Sequence, residues 1–197
     1  MGRFITNDYQ YVDLKLPSGT LWAACNVGAN KPTENGYYLS WGETKSKKEY
    51  TRDTYNYESL KMKYKNLDGV ETLLDDEDAA HIYMGGDWRM PTESQANELI
   101  GHTNLIDCGS YVELRRIDEE KLGCKGAKLI IPLGGYYDRN RCNDKDEFGY
   151  LWASNSTYHA LTYSEIPTIV LSRVQKYKTR FDGYYGQNIR GVLTPKQ

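Results

Sequence analysis

Gly85-Gly86-Asp87-Trp88-Arg89-Met90-Pro91-Thr92-Glu93 holds a helix stop, a buried-aromatic signal and a helix start, and it contains no catalytic group. Gly85 and Gly86 follow a short helical pattern, Asp78 to Met84, and suit the left-handed position at which helices end. Thr92 opens the next helix. Its hydroxyl can accept from the amide three residues on while the Gln95 side chain reaches back, which makes a capping box. Pro91 keeps the chain extended ahead of that cap. Trp88 and Met90 send apolar bulk the same way from an extended turn, and Arg89 between them can fork onto a carboxylate. Such a segment pins a helix onto a sheet, so it speaks for scaffold before it speaks for function.

Working outward, Leu73 to Met84 reads as the first helix. Asp75-Asp76-Glu77-Asp78 at its start complements the helix dipole. Thr92 to Ile100 reads as the second, stopped by Gly101, and no other helix is convincing. Upstream, Tyr9 to Leu16 and Thr20 to Val27 form a hairpin around Pro17-Ser18-Gly19. Gly28 to Gly36 is loop, and Tyr37 to Trp41 is a short aromatic strand closed by Gly42-Glu43-Thr44. Residues 45–72 are polar. Their interleaved Tyr55, Tyr57, Lys61, Lys63, Tyr64 and Lys65 have the makings of a base-stacking surface, but the reading here is a solvated loop. From Leu105 onward the chain is β and loop: Lys128 to Leu133, Tyr150 to Ser154, two strands over Ala160 to Gln175 bent at Pro167, and a closing strand over Ile189 to Leu193. With no repeat and no linker, residues 1–197 make one domain.

The 197 residues carry 25 basic and 27 acidic side chains, a net charge of −2, which gives no general attraction to nucleic acid or anionic lipid. Mean hydropathy is −0.73, and no run approaches the roughly 20 apolar residues of a membrane span. The N-terminus has no apolar signal segment, so the expectation is synthesis without secretion. Gly2 with Thr6 resembles a myristoylation site, but an ordinary N-terminus is preferred. Four cysteines, Cys25, Cys108, Cys124 and Cys142, allow three pairings and show no zinc-type spacing; reduced, packed thiols are expected. Tyrosine is the outlier, 18 against 4 Trp and 3 Phe. Cores favour Phe, Leu and Ile, whereas Tyr suits half-wet positions where a ring gives contact and a hydroxyl gives a hydrogen bond.

The order of these pieces resembles the Fibrobacter succinogenes major paralogous domain family of Bacteroidetes and their phages. Tyr11 to Ala29 (YVDLKLPSGTLWAACNVGA) looks like its opening signature, Trp41-Gly42-Glu43-Thr44 like its second block, and Asp78-Ala79-Ala80 with Gly85 to Thr92 like its third. Pro132 to Tyr136, Tyr150 to Ser154 and Asn188 to Val192 resemble later blocks, so the resemblance spans about residues 9–194. It implies a C-type-lectin-like fold: a twisted antiparallel β core, two short helices and long loops bearing a ligand surface. Formylglycine-generating enzymes share that fold, but here Asn97 replaces their usual Trp, and Gly191 stands where the family ending has Pro. The chain ends fifty-five residues after Cys142 without the redox-active cysteine pair such an oxidase needs.

Other chemistry is thinly represented. Asp138, Asn140, Asn143, Asp144, Asp146 and Glu147 form an oxygen-rich loop of the kind calcium uses. However, Gly149 falls where a bidentate acid would be needed, and no lectin-type Glu-Pro-Asn motif occurs. The loop is read as a solvated turn. Glu77 and His81 have helical i,i+4 spacing suited to a metal, though such acid–base pairs are commonly structural. His102 is placed past the helix end. There is no G-x-S-x-G, P-loop or G-x-G-x-x-G.

The expectation is therefore an α+β, C-type-lectin-like recognition or assembly module without catalysis, cofactor or metal. Its ligand face is placed at Trp152, Asn155, Tyr158, His159, Tyr163, Arg173, Tyr177, Arg180, Tyr184, Tyr185 and Asn188, residue types favoured in paratopes. The setting expected is a phage virion: a head-fibre, tail or capsid-decoration protein, homo-oligomeric, made in the host cytoplasm. Its partners would be other virion proteins or a host-surface glycan or protein, with no nucleic acid and no membrane insertion. The alternative is a secreted Bacteroidetes carbohydrate-binding protein at the cell surface, and the third reading is a formylglycine-type enzyme.

Overall fold

A computed structural model describes residues 9–56, 70–157 and 166–194. The Tyr57 to Lys65 part of the polar loop, the strand expected from Ala160, the Gly2/Thr6 pair, and Tyr158, His159 and Tyr163 lie outside these residues. The architecture is mixed α+β with mostly antiparallel sheets and two short helices.

The motif that opens the reading is built as expected. Helix α1 (Ala79–Met84) ends at Gly85, whose φ of 67° suits a glycine and whose N–H donates to the His81 carbonyl at 2.8 Å. Helix α2 (Glu93–His102) starts from the complete Thr92/Gln95 capping box. Gln95 is buried and also donates to Thr20 and Thr194 hydroxyls at 3.2 and 2.7 Å, tying the cap to both chain ends. Trp88 and Met90 are buried, and Arg89 meets the Asp75 carboxylate at 3.0 Å. Asp78 caps α1 through His81 N–H, and its carboxylate also accepts from Met90 N–H at 2.9 Å, so one buried acid joins both halves of the motif. Burial pushes its carboxyl upward, against these hydrogen bonds.

Two expectations about these helices are corrected. Asp75, Asp76 and Glu77 precede the cap rather than filling the first turn of α1, which holds no acid. Gly101 does not stop α2; the helix runs through it to His102 and then passes directly into β4.

Strands β1 (Tyr11–Val12), β2 (Leu21–Ala23) and the last strand, β13 (Val192–Leu193), form one sheet in the order β1-β2-β13, which brings the two ends of the described chain together. The expected hairpin is there in register, Tyr11 opposite Ala23, but with shorter strands. β3 (Val70–Thr72) pairs with β10 (Asn155–Thr157). β4 (Thr103–Asp107), β5 (Tyr111–Arg116) and β6 (Lys128–Pro132) form a meander. β7 (Tyr136–Asp138) and β8 (Arg141–Asn143) form a small hairpin, and β12 (Lys176–Phe181), β11 (Ile166–Ser172) and β9 (Phe148–Trp152) form the third three-stranded sheet, in that order. Tyr37 to Trp41 is not a strand; Leu39 makes only an isolated bridge to Gln187. Pro167 does not break β11, because it sits at the second residue, just beyond the last β9 partner pair, Thr168 with Trp152.

The core has two parts, and strand alternation separates them. Leu21, Ala23, Trp152 and Leu193 join Trp88, Met90 and Trp41 on one side; Trp22, Leu151 and Val192 join Leu99, Leu114, Ile131 and Leu171 on the other. β2, β9 and β13 are thus buried on both faces, which is why they read as continuous apolar runs rather than alternating ones.

In the β4–β5–β6 meander, Glu113 is nearly fully buried between Lys128 (2.5 Å) and Arg115 (2.7 Å). Hydrogen bonds from Lys128 and then Arg115 hold its carboxyl below the usual range. A depressed folded-state value means the stabilisation is present above the ordinary carboxylate range and is lost as pH falls through the folded value. Glu113→Gln is expected to cost about 1 kcal/mol at neutral pH and nothing in strong acid. Urea titrations at both should therefore converge on the acid side, and an equal gap at both pH values would contradict the assignment.

Candidate functional site

β9, β11 and β12 pair so that Tyr150, Val170 and Tyr177 lie in one row, and alternate residues share that row's face. The opposite face carries Leu151, Ile169 and Leu171 into the core, with Lys176, Lys178 and Arg180 beside α2. There Lys176 donates to the Ile100 carbonyl near the helix C-terminus at 2.5 Å, and Lys178 and Arg180 both pair with Glu93 at its start. α2 is therefore clamped along its length, and the sheet is held rigid from behind.

The front face is aromatic. Phe148, Tyr150 and Phe181 come from the sheet, Tyr136 from β7, and Tyr184 and Tyr185 from the turn after β12. Adjacent ring centroids stand 4.5–6.1 Å apart, mostly edge-to-face. Tyr177 stands on the same face and is 38% exposed; Tyr136, Phe148, Phe181, Tyr184 and Tyr185 are half-buried. β7 alternation sends the next ring, Tyr137, to a separate group with Tyr38 and Tyr50.

Three of these phenols, Tyr136, Tyr150 and Tyr184, are held in their neutral form. Tyr150 O–H donates to the Asp144 carboxylate at 2.6 Å; burial first, then this carboxylate, hold its pKa well above the ordinary value. Burial and the neighbouring Tyr185 do the same for Tyr184, and burial for Tyr136. At one rim Arg52 lies 5.9 Å over the Tyr184 ring and 3.9 Å from Asp182. The platform thus offers contact area with hydroxyl hydrogen bonds.

Of the residues expected on the ligand face, Tyr177, Tyr184 and Tyr185 lie on this platform. Arg173 is exposed in the β11–β12 turn, donating to the Asp146 carbonyl at 3.2 Å. Arg180 is on the other face of β12 with Glu93. That placement corrects the expectation for Arg180, and three more are corrected. Trp152 is fully buried, its indole N–H on the Leu39 carbonyl at 2.8 Å. Asn155 is buried with its side-chain carbonyl accepting from Glu93 N–H at the start of α2. Asn188 is buried and donates to the Tyr37 carbonyl at 3.1 Å. Polar type suggested display, but these amides satisfy backbone groups inside the fold. Tyr136, Phe148 and Tyr150 were missed. The i,i+2 spacing of Phe148 and Tyr150, and Tyr136 directly after Gly134-Gly135, are the signals that would have found them.

The remaining chemistry resolves structurally. Glu77 lies before α1, so it shares no helix face with His81; His81 instead faces Asp75 and hydrogen-bonds Arg89. His102 is the last residue of α2 rather than beyond it, with Nδ1 3.0 Å from the Glu98 carbonyl. In the 138–147 loop, Arg139, Asp144 and Asp146 have positive φ and Asp144 is engaged by Tyr150. Among the described residues no cluster of three His, Cys, Asp or Glu side chains is placed to hold a metal, and the four cysteines are unpaired thiols.

No protein-family model, curated protein or solved structure matches the chain.

Proposed function

We propose that this chain is a non-enzymatic recognition and assembly module of C-type-lectin-like fold, which grips a protein or glycan with the aromatic front of the β9–β11–β12 sheet. The observation that carries this is the gathering of six partly exposed rings from β7, β9, β12 and the following turn around a buried seventh, Tyr150, on one face of a sheet clamped from behind. Rigid rings lose little conformational freedom on binding and supply large contact area, which is why interfaces concentrate energy in them. The lectin-like reading draws support from the antiparallel sheets, the two short helices and the meeting of the two ends in one sheet.

The setting we favour is a phage virion, as a head-fibre, tail or capsid-decoration protein, with the platform against a virion protein or a host-surface ligand. A secreted carbohydrate-binding role is the second reading, favoured by the neutral phenols, whose flat faces suit sugar rings. One comparison separates them: light scattering of the full chain, with a glycan array probed in parallel. Assembly into a homo-oligomer without glycan capture supports the first, and a glycan-binding monomer supports the second. Tyr177 is the outermost ring, so Tyr177→Ala should change stability by no more than about 0.5 kcal/mol. The same change should weaken whichever association is seen by about 1–2 kcal/mol. A monomer that captures no glycan, or an association indifferent to Tyr177, would refute the platform.

A further inference from the structure

Among the described residues, the longer strands at sheet edges are β4, β6, β9 and β12. Three of them are covered or defended. The outer side of β9 is bridged to Gly135 and Asn188, and that of β6 gives its Ile130 carbonyl to Arg190. β12 carries Lys176, Lys178 and Arg180, charges of the kind that keep an edge from recruiting another strand. β4 is Thr103-Asn104-Leu105-Ile106-Asp107, with no proline, no cation and no bulge in its register with β5.

The register fixes which backbone groups of β4 face outward. Ile117 N–H donates to the His102 carbonyl at 3.1 Å, and Cys108 N–H donates to the Tyr111 carbonyl at 3.0 Å. The two-residue period therefore turns the N–H and carbonyl of Asn104 and Ile106 toward β5, and those of Leu105 and Asp107 away from it. The Thr103 carbonyl points outward with them.

Two unmatched charges flank this edge on the core-side face of the meander. Arg116 stands directly opposite Thr103 and is only 9% exposed. No carboxylate among the described residues pairs with it; its Nε has no acceptor, and Nη1 meets the His102 carbonyl only at 3.4 Å. Asp107, exposed at the other end of β4, accepts from Gly109 N–H and meets no cation among the described residues.

A two-fold axis through Leu105 satisfies both. It sets β4 antiparallel to β4 of a second copy, with Leu105 opposite Leu105 and Asp107 opposite Thr103. The two Leu105 residues exchange backbone hydrogen bonds, and each Asp107 N–H meets a Thr103 carbonyl. Asp107 of the second copy then lies two strand spacings, about 10 Å, from the Arg116 backbone and on the same face. An arginine and an aspartate together span that distance, so each copy supplies the acid that the other's buried guanidinium lacks. On the opposite face Ile106, 39% exposed, comes diagonally against its own copy.

We propose that β4 is the contact through which two copies of this chain join their β4–β5–β6 meanders into one continuous sheet, closed at each end by an Arg116–Asp107 pair. The inference takes its setting from the assembly reading above, but it uses a surface other than the platform.

The test is amide hydrogen exchange by NMR on the full chain, from micromolar to millimolar concentration, with light scattering in parallel. Leu105 and Asp107 N–H should gain protection as concentration rises, whereas Ile106 N–H, bonded to β5, is protected throughout. Ile106→Lys places two cations beside the axis, and Asp107→Asn removes the charge that meets Arg116; each should weaken the pairing at least about tenfold. Protected Leu114 and Ile131 amides establish that each variant is folded. A chain that stays monomeric at millimolar concentration overturns the proposal, as does an assembly whose Leu105 amide exchanges freely or that is indifferent to either substitution. The platform is judged separately: the β4 pair should survive Tyr177→Ala as a residual dimer. An assembly lost with Tyr177→Ala but untouched by Ile106→Lys upholds the platform and sinks the edge.

Discussion

Replacing Arg190 with alanine is expected to destabilise the protein by about 3–5 kcal/mol, from lost charge-assisted hydrogen bonds and the void left behind. Arg190 is completely buried, and among the described residues no carboxylate pairs with it; burial pulls its pKa down to about 9. Its Nε donates to the Asn26 side-chain carbonyl at 2.8 Å, Nη1 to the carbonyls of Ala23 and Ala24 at 2.9 and 2.7 Å, and Nη2 to that of Ile130 at 2.8 Å. One planar fork thus joins the segment leading into β13, the end of β2 with the chain leaving it, and β6. Two terms compete when it is removed. The desolvation penalty of the charge disappears, which favours the variant. Four oxygens lose their donors, two of them in buried and two in part-buried hydrogen bonds, at about 1–3 kcal/mol for each buried one, which opposes it. The second term is larger. Arg190→Lys tests the geometry, because one ammonium at the end of a flexible stem cannot reach three segments at once. Chemical denaturation should place it nearer to Arg190→Ala than to the parent. A lysine variant as stable as the parent would show that charge, not the fork, is what the site needs.

Arg190 also marks where sequence reading succeeds and where it stops. Local devices were legible. The Gly85 stop and the Thr92/Gln95 cap depend on neighbours a few residues away, and backbone rules specify them; the carboxylate that Arg89 meets, Asp75, lies fourteen residues back and was not named by the sequence. The apolar runs of β9 and β11 were legible because burial on both faces leaves no alternation to misread. Sidedness was not. Trp152, Asn155 and Asn188 have the composition of a binding face, but pleat and register send them inward, and the partners that hold them, Leu39, Glu93 and Tyr37, are remote in sequence. The platform is assembled by the same long-range pairing, β9 with β11 with β12 and β7 above them, so residue type alone recovered Tyr177, Tyr184 and Tyr185 but not Tyr136, Phe148 or Tyr150.

Trp88→Ala is the companion prediction, again at about 3–5 kcal/mol, the usual range for deleting a fully buried indole. The reason lies in how closely Trp88 is packed against the end of the chain. Arg89 and Val192 exchange backbone hydrogen bonds in both directions, at 3.1 and 2.8 Å, so the residue beside Trp88 is stitched to β13. Gly191 then passes so near that an added Cβ would sit 2.7 Å from Met84 Sδ and 3.1 Å from the Trp88 ring. This accounts for glycine at position 191: the space a side chain would need is already taken by Met84 and Trp88. The two sites should therefore be coupled. Gly191→Ala alone forces Met84 and Trp88 to give way and is expected to cost about 1–3 kcal/mol. In the Trp88→Ala background the same methyl group enters the void left by the indole and should cost less, so a double-mutant cycle should return a coupling of at least about 0.5 kcal/mol. Strictly additive effects would mean that Met84 alone absorbs the added carbon, and that the indole does not set the size of residue 191.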